Sequence, residues 1–246
     1  MKSFISLEEA INILNDNVEH LDVEEVSLID GIKRVLATDI YSTIDNPPFD
    51  KSAMDGYAVI AEDSKLKEKI EVIDKVFAGN LCDSIVTSKT AVRIMTGAPI
   101  PSGANAVIKQ EDVTLREDNY IILNNSVKKN ENICFKGEDI KRGTLLVKKG
   151  KKLDYADIGI IASSGIEKIK VYKLPKIALI STGDEVIDIA DALMPGKIFN
   201  SNKYSIISRI KELGYDIQYT THVKDIENQI EECISNISNN IDIIIT

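Results

Sequence analysis

The sequence predicts a multidomain protein of mixed α/β and β class: a helical and β linker domain, a β-rich domain inserted into it, and a parallel α/β domain cut off after its third strand. Three patterns predict it. Short amphipathic helical stripes flank a long central block, that block consists of brief β-branched runs broken by Gly, Pro, Asn and Asp, and the last third alternates strand with helix. The implied division is residues 1–23 plus 142–172 for the linker domain, 24–141 for the inserted domain and 173–246 for the start of the α/β domain.

Ser6-Leu7-Glu8-Glu9 has the form of a capping box, in which the Ser hydroxyl accepts from the N3 amide and the Glu carboxylate reaches back. A helix starts there. Leu7, Ala10, Ile11, Leu14, Val18 and Leu21 recur at helical spacing and form one apolar stripe that needs a partner. From Val23 to about Lys141, runs such as Lys69 to Phe77, Ala104 to Thr114 and Tyr120 to Leu123 read as strands. Glu117-Asp118-Asn119 between two of them is a hairpin turn. Thr144 to Val147 is a further strand, and Asp154 opens a helix carrying Ile158, Ile160, Ile161 and Ala162, with Gly165 as its stop. Both helices are too small to stand alone, so they are expected to pack together across the inserted block.

In the last third, Lys176 to Ser181 is a short apolar run of the kind buried on both faces of a parallel sheet. A helix from about Asn202 to Leu213, ended by Gly214, leads to a strand from Asp216 to Val223. A helix from about Ile226 to Ser238 and a strand from Ile241 to Thr246 complete a βαβαβ order. Parallel pairing through helical crossovers is the default for such an order. A parallel sheet usually has more strands and a covering helix, so the sequence is expected to be a fragment.

The 246 residues carry a formal net charge of −9, with 43% hydrophobic and 28% charged residues. That is a folded, globular balance. The acidic excess removes the general attraction to phosphate backbones, so nucleic acid is not expected as a partner. The longest charge-free run, Ile94 to Ile108, contains Gly97, Pro99, Pro101 and Gly103, and no membrane span is expected. Glu8 and Glu9 occupy the place of a signal peptide's apolar stretch, and a cytoplasmic location follows as the expectation. Cys82, Cys134 and Cys233 are odd in number and far apart, which supports neither a disulfide framework nor a thiolate zinc site. Each is expected to be a lone buried thiol.

None of the 13 glycines forms a G-x-G pair, and neither Gly150-Lys151 nor Gly196-Lys197 has the preceding Gly of a P-loop. There is no G-x-S-x-G elbow and no H-E-x-x-H. The two histidines, His20 in a polar helix end and His222 in a strand, are expected to be solvated or in the core rather than catalytic. The unusual segments are loops that combine small residues with carboxylates: Pro47 to Ala58, Met95 to Pro101, Lys136 to Ile140 and Ser181 to Glu185. Taken singly, Asp55-Gly56 reads as a turn and Gly137-Glu138-Asp139 as a solvated loop. Ser181 to Glu185 is better placed, because it follows the first strand of an α/β unit, where ligands bind beyond the carboxyl ends of strands.

Taken together, these segments resemble the MoeA/gephyrin family of molybdopterin molybdenumtransferases. The resemblance rests on Pro-Phe-Asp-Lys-Ser-Ala-Met-Asp-Gly-Tyr-Ala at 48–58, Arg-Ile-Met-Thr-Gly-Ala-Pro at 93–99, Lys-Gly-Glu-Asp-Ile at 136–140, Ser-Thr-Gly-Asp-Glu at 181–185 and Gly-Lys-Ile-Phe-Asn-Ser-Asn at 196–202. It implies a homodimer that inserts molybdenum from molybdate into adenylylated molybdopterin with release of AMP, and a last domain of molybdopterin-binding type. Carried onto this sequence, it implies functional polar residues at Asp55, Thr96, Asp139, Glu185 and Asp225. Ser181, Gly183, Asn200 and Ser201 would line the pterin and phosphate side of the α/β crevice. The family's later Gly-Gly-Val-Ser-type loop, lysine-bearing segment and C-terminal β domain have no counterpart in this sequence.

The implied substrates are anions, and the implied site residues are largely carboxylates, which repel them. Mg²⁺ bridging carboxylate and phosphate oxygens would resolve this, as would Lys and Arg clamps. Mg²⁺ is therefore the expected cofactor, with its ligands unassigned, and the clamps are expected largely outside this sequence. Two other readings stay open: a non-catalytic pterin-binding or scaffold module, and the neighbouring molybdopterin adenylyltransferase step. Joint retention of Asp55, Thr96, Asp139 and Glu185 favours the transferase over a scaffold, and the inserted β block argues against the adenylyltransferase.

Overall fold

The computed structural model describes residues 5–116 and 119–246. Four helices occur among them: α1 (Leu7–Asn17), α2 (Tyr155–Ser163), α3 (Ser201–Glu212) and α4 (Glu227–Ser238). The chain divides into two compact units. One comprises Asp39–Lys148 and Ala156–Glu167, and the other the described residues up to Thr38, Lys149–Tyr155 and Lys168–Thr246.

The first unit is built on a six-stranded mixed sheet in the order Ala106–Lys109, Gly56–Val59, Thr90–Ile94, Lys69–Val76, Tyr120–Leu123, Val113–Arg116. Its neighbours are antiparallel except for Lys69–Val76 beside Thr90–Ile94, which run parallel. Strand periodicity of two puts Tyr57 and Val59 on one face and Ala58 on the other. The same rule separates Ala91 from Val92, and Ala106 and Ile108 from Val107. Each face carries a buried cluster: Tyr57, Val59, Ile70, Ile121 and Leu123 form one, and Ala58, Val76, Val92, Ile94 and Val107 the other. Gly56 lets two strands approach closely: a Cβ there would lie 2.0 Å from the Ile108 carbonyl oxygen.

The run expected from Ala104 to Thr114 is two strands. Ala106–Lys109 ends where the Gln110 amide donates to the Asp55 carbonyl (3.0 Å), a 3₁₀ turn follows at Gln110–Asp112, and Val113–Arg116 starts a new strand. Val113–Arg116 pairs antiparallel with Tyr120–Leu123, but Glu117 and Asp118 of the expected hairpin turn lie outside the described residues.

In the second unit, Ser6 caps α1 as its sequence predicts, its Oγ accepting from the Glu9 amide at 3.1 Å. No residue of α1 is buried, so the apolar stripe is exposed in this structure. Val23–Ser27 pairs antiparallel with Lys168–Tyr172. The sequence division placed Glu24–Ser27 with the inserted block and paired the first helix with the second, whereas here these residues join the strand after α2, and α1 and α2 fall in different units. The reason is backbone pairing between segments about 145 residues apart, to which hydrophobic spacing is blind.

The α/β part has the expected parallel sheet. Ile177–Thr182 is central, flanked by Ile217–Val223 and Ile243–Ile245. Ile177, Ala178, Leu179 and Ile180 are buried, as an apolar strand in the middle of a parallel sheet should be. Gly214 follows α3 with a φ of +90°, the left-handed conformation that ends helices. The cysteines are free, as expected, but half-buried rather than buried. Cys82 Sγ lies 3.4 Å from an Asp74 carboxylate oxygen, a polar neighbour that an apolar burial site lacks.

Candidate functional site

Two groups of the expected site residues take shape, one in each unit. In the first unit the organiser is the segment Asp50–Asp55. Ser52 donates its amide to the Ala98 carbonyl (2.9 Å) and accepts from the Gly97 amide (2.8 Å), which locks it to the Met95–Ala98 turn. Gly97 holds a φ of +82°, so that turn needs a residue without a Cβ. On the other side, Lys51–Ser52 pairs antiparallel with Ile133–Cys134, and Asp50 Oδ1 accepts from the Lys136 amide at 2.8 Å. Three of the sequence segments that carry the resemblance are thus sewn to one spine.

The result is a clasp. Asp55 Oδ1 accepts from both the Thr96 amide and the Thr96 hydroxyl, each at 2.7 Å. The Thr96 amide bond holds the Asp55 carboxyl below the ordinary aspartate range, helped by the Thr96 hydroxyl and by the positive charge of Arg93. Asp139 is held by its backbone, its amide donating to the Asn46 carbonyl at 3.1 Å, and its side chain is exposed; among the described residues no hydrogen bond joins it to Asp55 or Thr96.

A pH prediction follows. A folded pKa below the unfolded value of about 3.9 stabilises the fold above that value, and the contribution disappears as pH falls through the folded pKa. Carboxyl NMR titration should therefore find Asp55 below exposed aspartates. Thr96→Ala, which loses the hydroxyl bond but keeps the amide, should raise it part of the way towards them, and Thr96→Ser should leave it low. An Asp55 that titrates like a free side chain contradicts the clasp.

In the second unit the site lies at the carboxyl ends of the parallel strands, as such sheets favour. Ser181 sits near the end of the central strand, where its Oγ accepts from Asn200 Nδ2 at 2.8 Å. Asn200 is buried and does double duty: its Oδ1 caps α3 by accepting from the Lys203 amide at 3.0 Å. Ser201, the first residue of α3, is exposed at the positive end of that helix. Gly183 has a φ of +124°, and a Cβ there would meet the Glu185 carboxylate oxygens at 3.0 and 3.1 Å. The Glu185 carboxylate therefore folds back over Gly183. Asp225 is exposed just past the end of Ile217–Val223, at the lip of a surface hollow shared with Glu227 and Glu231 of α4. Among the described residues of this unit, no hydrogen bond joins Glu185 or Asp225 to Ser181 or Asn200.

The structure adds one residue that the sequence reading set aside. His222 stands opposite Ser181 in the parallel register, its Nδ1 3.1 Å from Ser181 Oγ. A single strand histidine carries no sign of this; only the pairing of the two strands does. Lys203 adds a second polar link, pairing with Asp188 at 2.7 Å beside the same helix cap.

The family described as MoeA N-terminal region (domain I and II) matches residues 5–165. The chain belongs to the MoeA family. A second match, to a probable molybdopterin binding domain, covers residues 178–246. Curated relatives named molybdopterin molybdenumtransferase are 38% identical over 223 residues in Haemophilus influenzae and 38% identical over 233 residues in Staphylococcus aureus. These alignments take in 91% and 92% of this chain and 55% of each relative, so the chain spans about half the length of the curated relatives it matches. A crystal structure of a molybdopterin biosynthesis MoeA protein from Pyrococcus horikoshii superposes with a TM-score of 0.88 at 34% identity, over 98% of this chain and 66% of that one. The MoeA assignment agrees with the mixed α/β multidomain fold and with the parallel sheet of the last third.

Proposed function

We propose that this MoeA chain acts in molybdenum cofactor biosynthesis, as part of a molybdopterin molybdenumtransferase that inserts molybdenum from molybdate into adenylylated molybdopterin and releases AMP. The observation that carries the reading is the Asp55–Thr96 clasp, formed by two of the family's motif segments in a chain that matches the family over both of its regions. A scaffold has no reason to keep Asp55, Thr96, Asp139 and Glu185 together, and the adenylyltransferase resemblance extends to the α/β domain alone. A three-domain division is part of the same reading, with Val23–Ser27 assigned to the linker domain by its pairing with Lys168–Tyr172 and the two family matches meeting between residues 165 and 178. So is a cytoplasmic location.

In this reading the α/β crevice binds the pterin. Ser181, Gly183, Asn200 and Ser201 line its phosphate side, the amino-terminal end of α3 supplies donors, and the Glu185 carboxylate folded over Gly183 moves aside to admit it. Asp55, Asp139, Glu185 and Asp225 are the carboxylates that handle protons or hold the cation. Among the described residues, no three His, Cys, Asp or Glu side chains are grouped as a ready cage for a metal ion. Mg²⁺ needs none, because it commonly binds through one or two carboxylates plus substrate phosphates and keeps several waters. The carboxylates present fit that mode, and the ion would neutralise the charge of the bound phosphate.

We also propose a homodimer whose site is shared, with Asp55 and Thr96 of one chain facing Glu185 of the other. One experiment tests both statements. A polypeptide of the relatives' length containing this chain, given adenylylated molybdopterin, molybdate and Mg²⁺, should release AMP and sediment as a dimer at micromolar concentration. Absence of AMP release refutes the transferase, and a monomer with full activity refutes the shared site.

A further inference from the structure

Across the six-stranded sheet runs a groove of about 560 Å³, lined by Tyr57, Lys75, Arg93, Arg116 and Tyr120 among others. It crosses five adjacent strands. Arg93 pairs in register with Tyr57 on one side and Lys75 on the other, so alternation puts all three on one face. The neighbouring strand carries an irregularity between Val72 and Asp74, the kind of bulge that redirects side chains. In a chain whose net charge is −9, Arg93 and Lys75 side by side on one face stand out, while Arg116, paired with Tyr120, lines the groove from the edge strand and the opposite face. Among the described residues, the acidic one that lines the groove, Asp74, is engaged elsewhere: its carboxylate accepts from Ser84 Oγ (2.6 Å), the Lys75 amide (2.7 Å) and Cys82 Sγ (3.4 Å).

Arg93 belongs to two places at once. It lines this groove, and it stands three residues before Thr96, close enough for its charge to act on the Asp55 carboxylate.

We propose that this groove is an oxyanion subsite, in which Arg93, with Lys75 beside it on the same face, binds a tetrahedral anion, a phosphoryl group or molybdate, beside the Asp55–Thr96 clasp. Guanidinium forks match such oxygens geometrically and stay charged at every relevant pH. The groove's volume is ample for a phosphorylated small molecule. Which anion is physiological rests on the transferase reading; the binding itself does not.

The test is isothermal titration calorimetry of the protein with inorganic phosphate, sodium molybdate and AMP in turn. Arg93→Ala should weaken binding about tenfold or more, Arg116→Ala should weaken it less, and Arg93→Lys should restore part of it. Preference for molybdate identifies the metal oxyanion as the ligand, and preference for AMP identifies the phosphoryl end of a substrate. Binding that is unchanged in Arg93→Ala overturns the proposal and leaves Arg93 a neutraliser of Asp55. If Arg93→Ala fails to fold, amide shifts on phosphate titration of the wild type decide: shifts at Tyr57, Lys75 and Asn119 support the subsite, and shifts confined to other regions overturn it. A polypeptide of the relatives' length that binds the anion but releases no AMP refutes the transferase reading alone, since the calorimetry needs no turnover.

Discussion

In a polypeptide of the relatives' length that acts as proposed, Asp55→Asn should lower AMP release from adenylylated molybdopterin by at least about tenfold, with thermal midpoint and oligomeric state near wild type. The clasp explains why the substitution is clean. Both Thr96 bonds go to Asp55 Oδ1, and an asparagine carbonyl oxygen accepts the same two donors. The loop therefore keeps its geometry. What disappears is the negative charge and the ability to take a proton, and positioned acid or base groups typically contribute about 10²- to 10⁴-fold. Glu185→Gln should behave alike: the side chain is exposed and folded over Gly183, so its amide has room without disturbing the sheet. Steady-state AMP release alongside thermal melts of each variant makes the measurement. Wild-type turnover in both variants would remove the chemical role and leave Asp55 a turn residue. A loss of activity matched by a loss of stability would assign it a structural role.

The largest expected effect on folding belongs to the next residue. Gly56→Ala places a methyl group 2.0 Å from the Ile108 carbonyl oxygen, on backbone that cannot swing aside as a side chain would. The strands must separate at the point where they carry the Asp55–Thr96 clasp. Overpacking a tight interior typically costs about 1–3 kcal/mol and sometimes more, and a rigid backbone contact belongs at the upper end. Against a total stability of about 5–15 kcal/mol, that is a large share. Gly159→Ala is the control: Gly159 lies in α2, and a Cβ there meets nothing within 4 Å. It should stabilise by about 0.5–1 kcal/mol, because alanine favours the helix. Urea midpoints compare the two. A Gly56→Ala variant as stable as wild type would show that the strands can spread at no cost.

The sequence by itself determined the local elements and the family. The capping box at Ser6, the helical stop at Gly165, the apolar run ending at Ser181 and the βαβαβ order each depend on neighbours a few residues away, and each recurs in the structure at nearly the expected bounds. The motif segments are equally local, so the resemblance they carry is readable without coordinates. Only the tertiary structure decided which segments meet. Val23–Ser27 pairs with Lys168–Tyr172, Ser181 stands beside His222, and Arg93 shares a groove with Arg116, contacts closed by backbone ladders between distant stretches. Residue type and spacing say that a strand forms and which of its faces is apolar. They do not say which strand lies beside it, because the ladder is made by backbone groups that are alike at nearly every position.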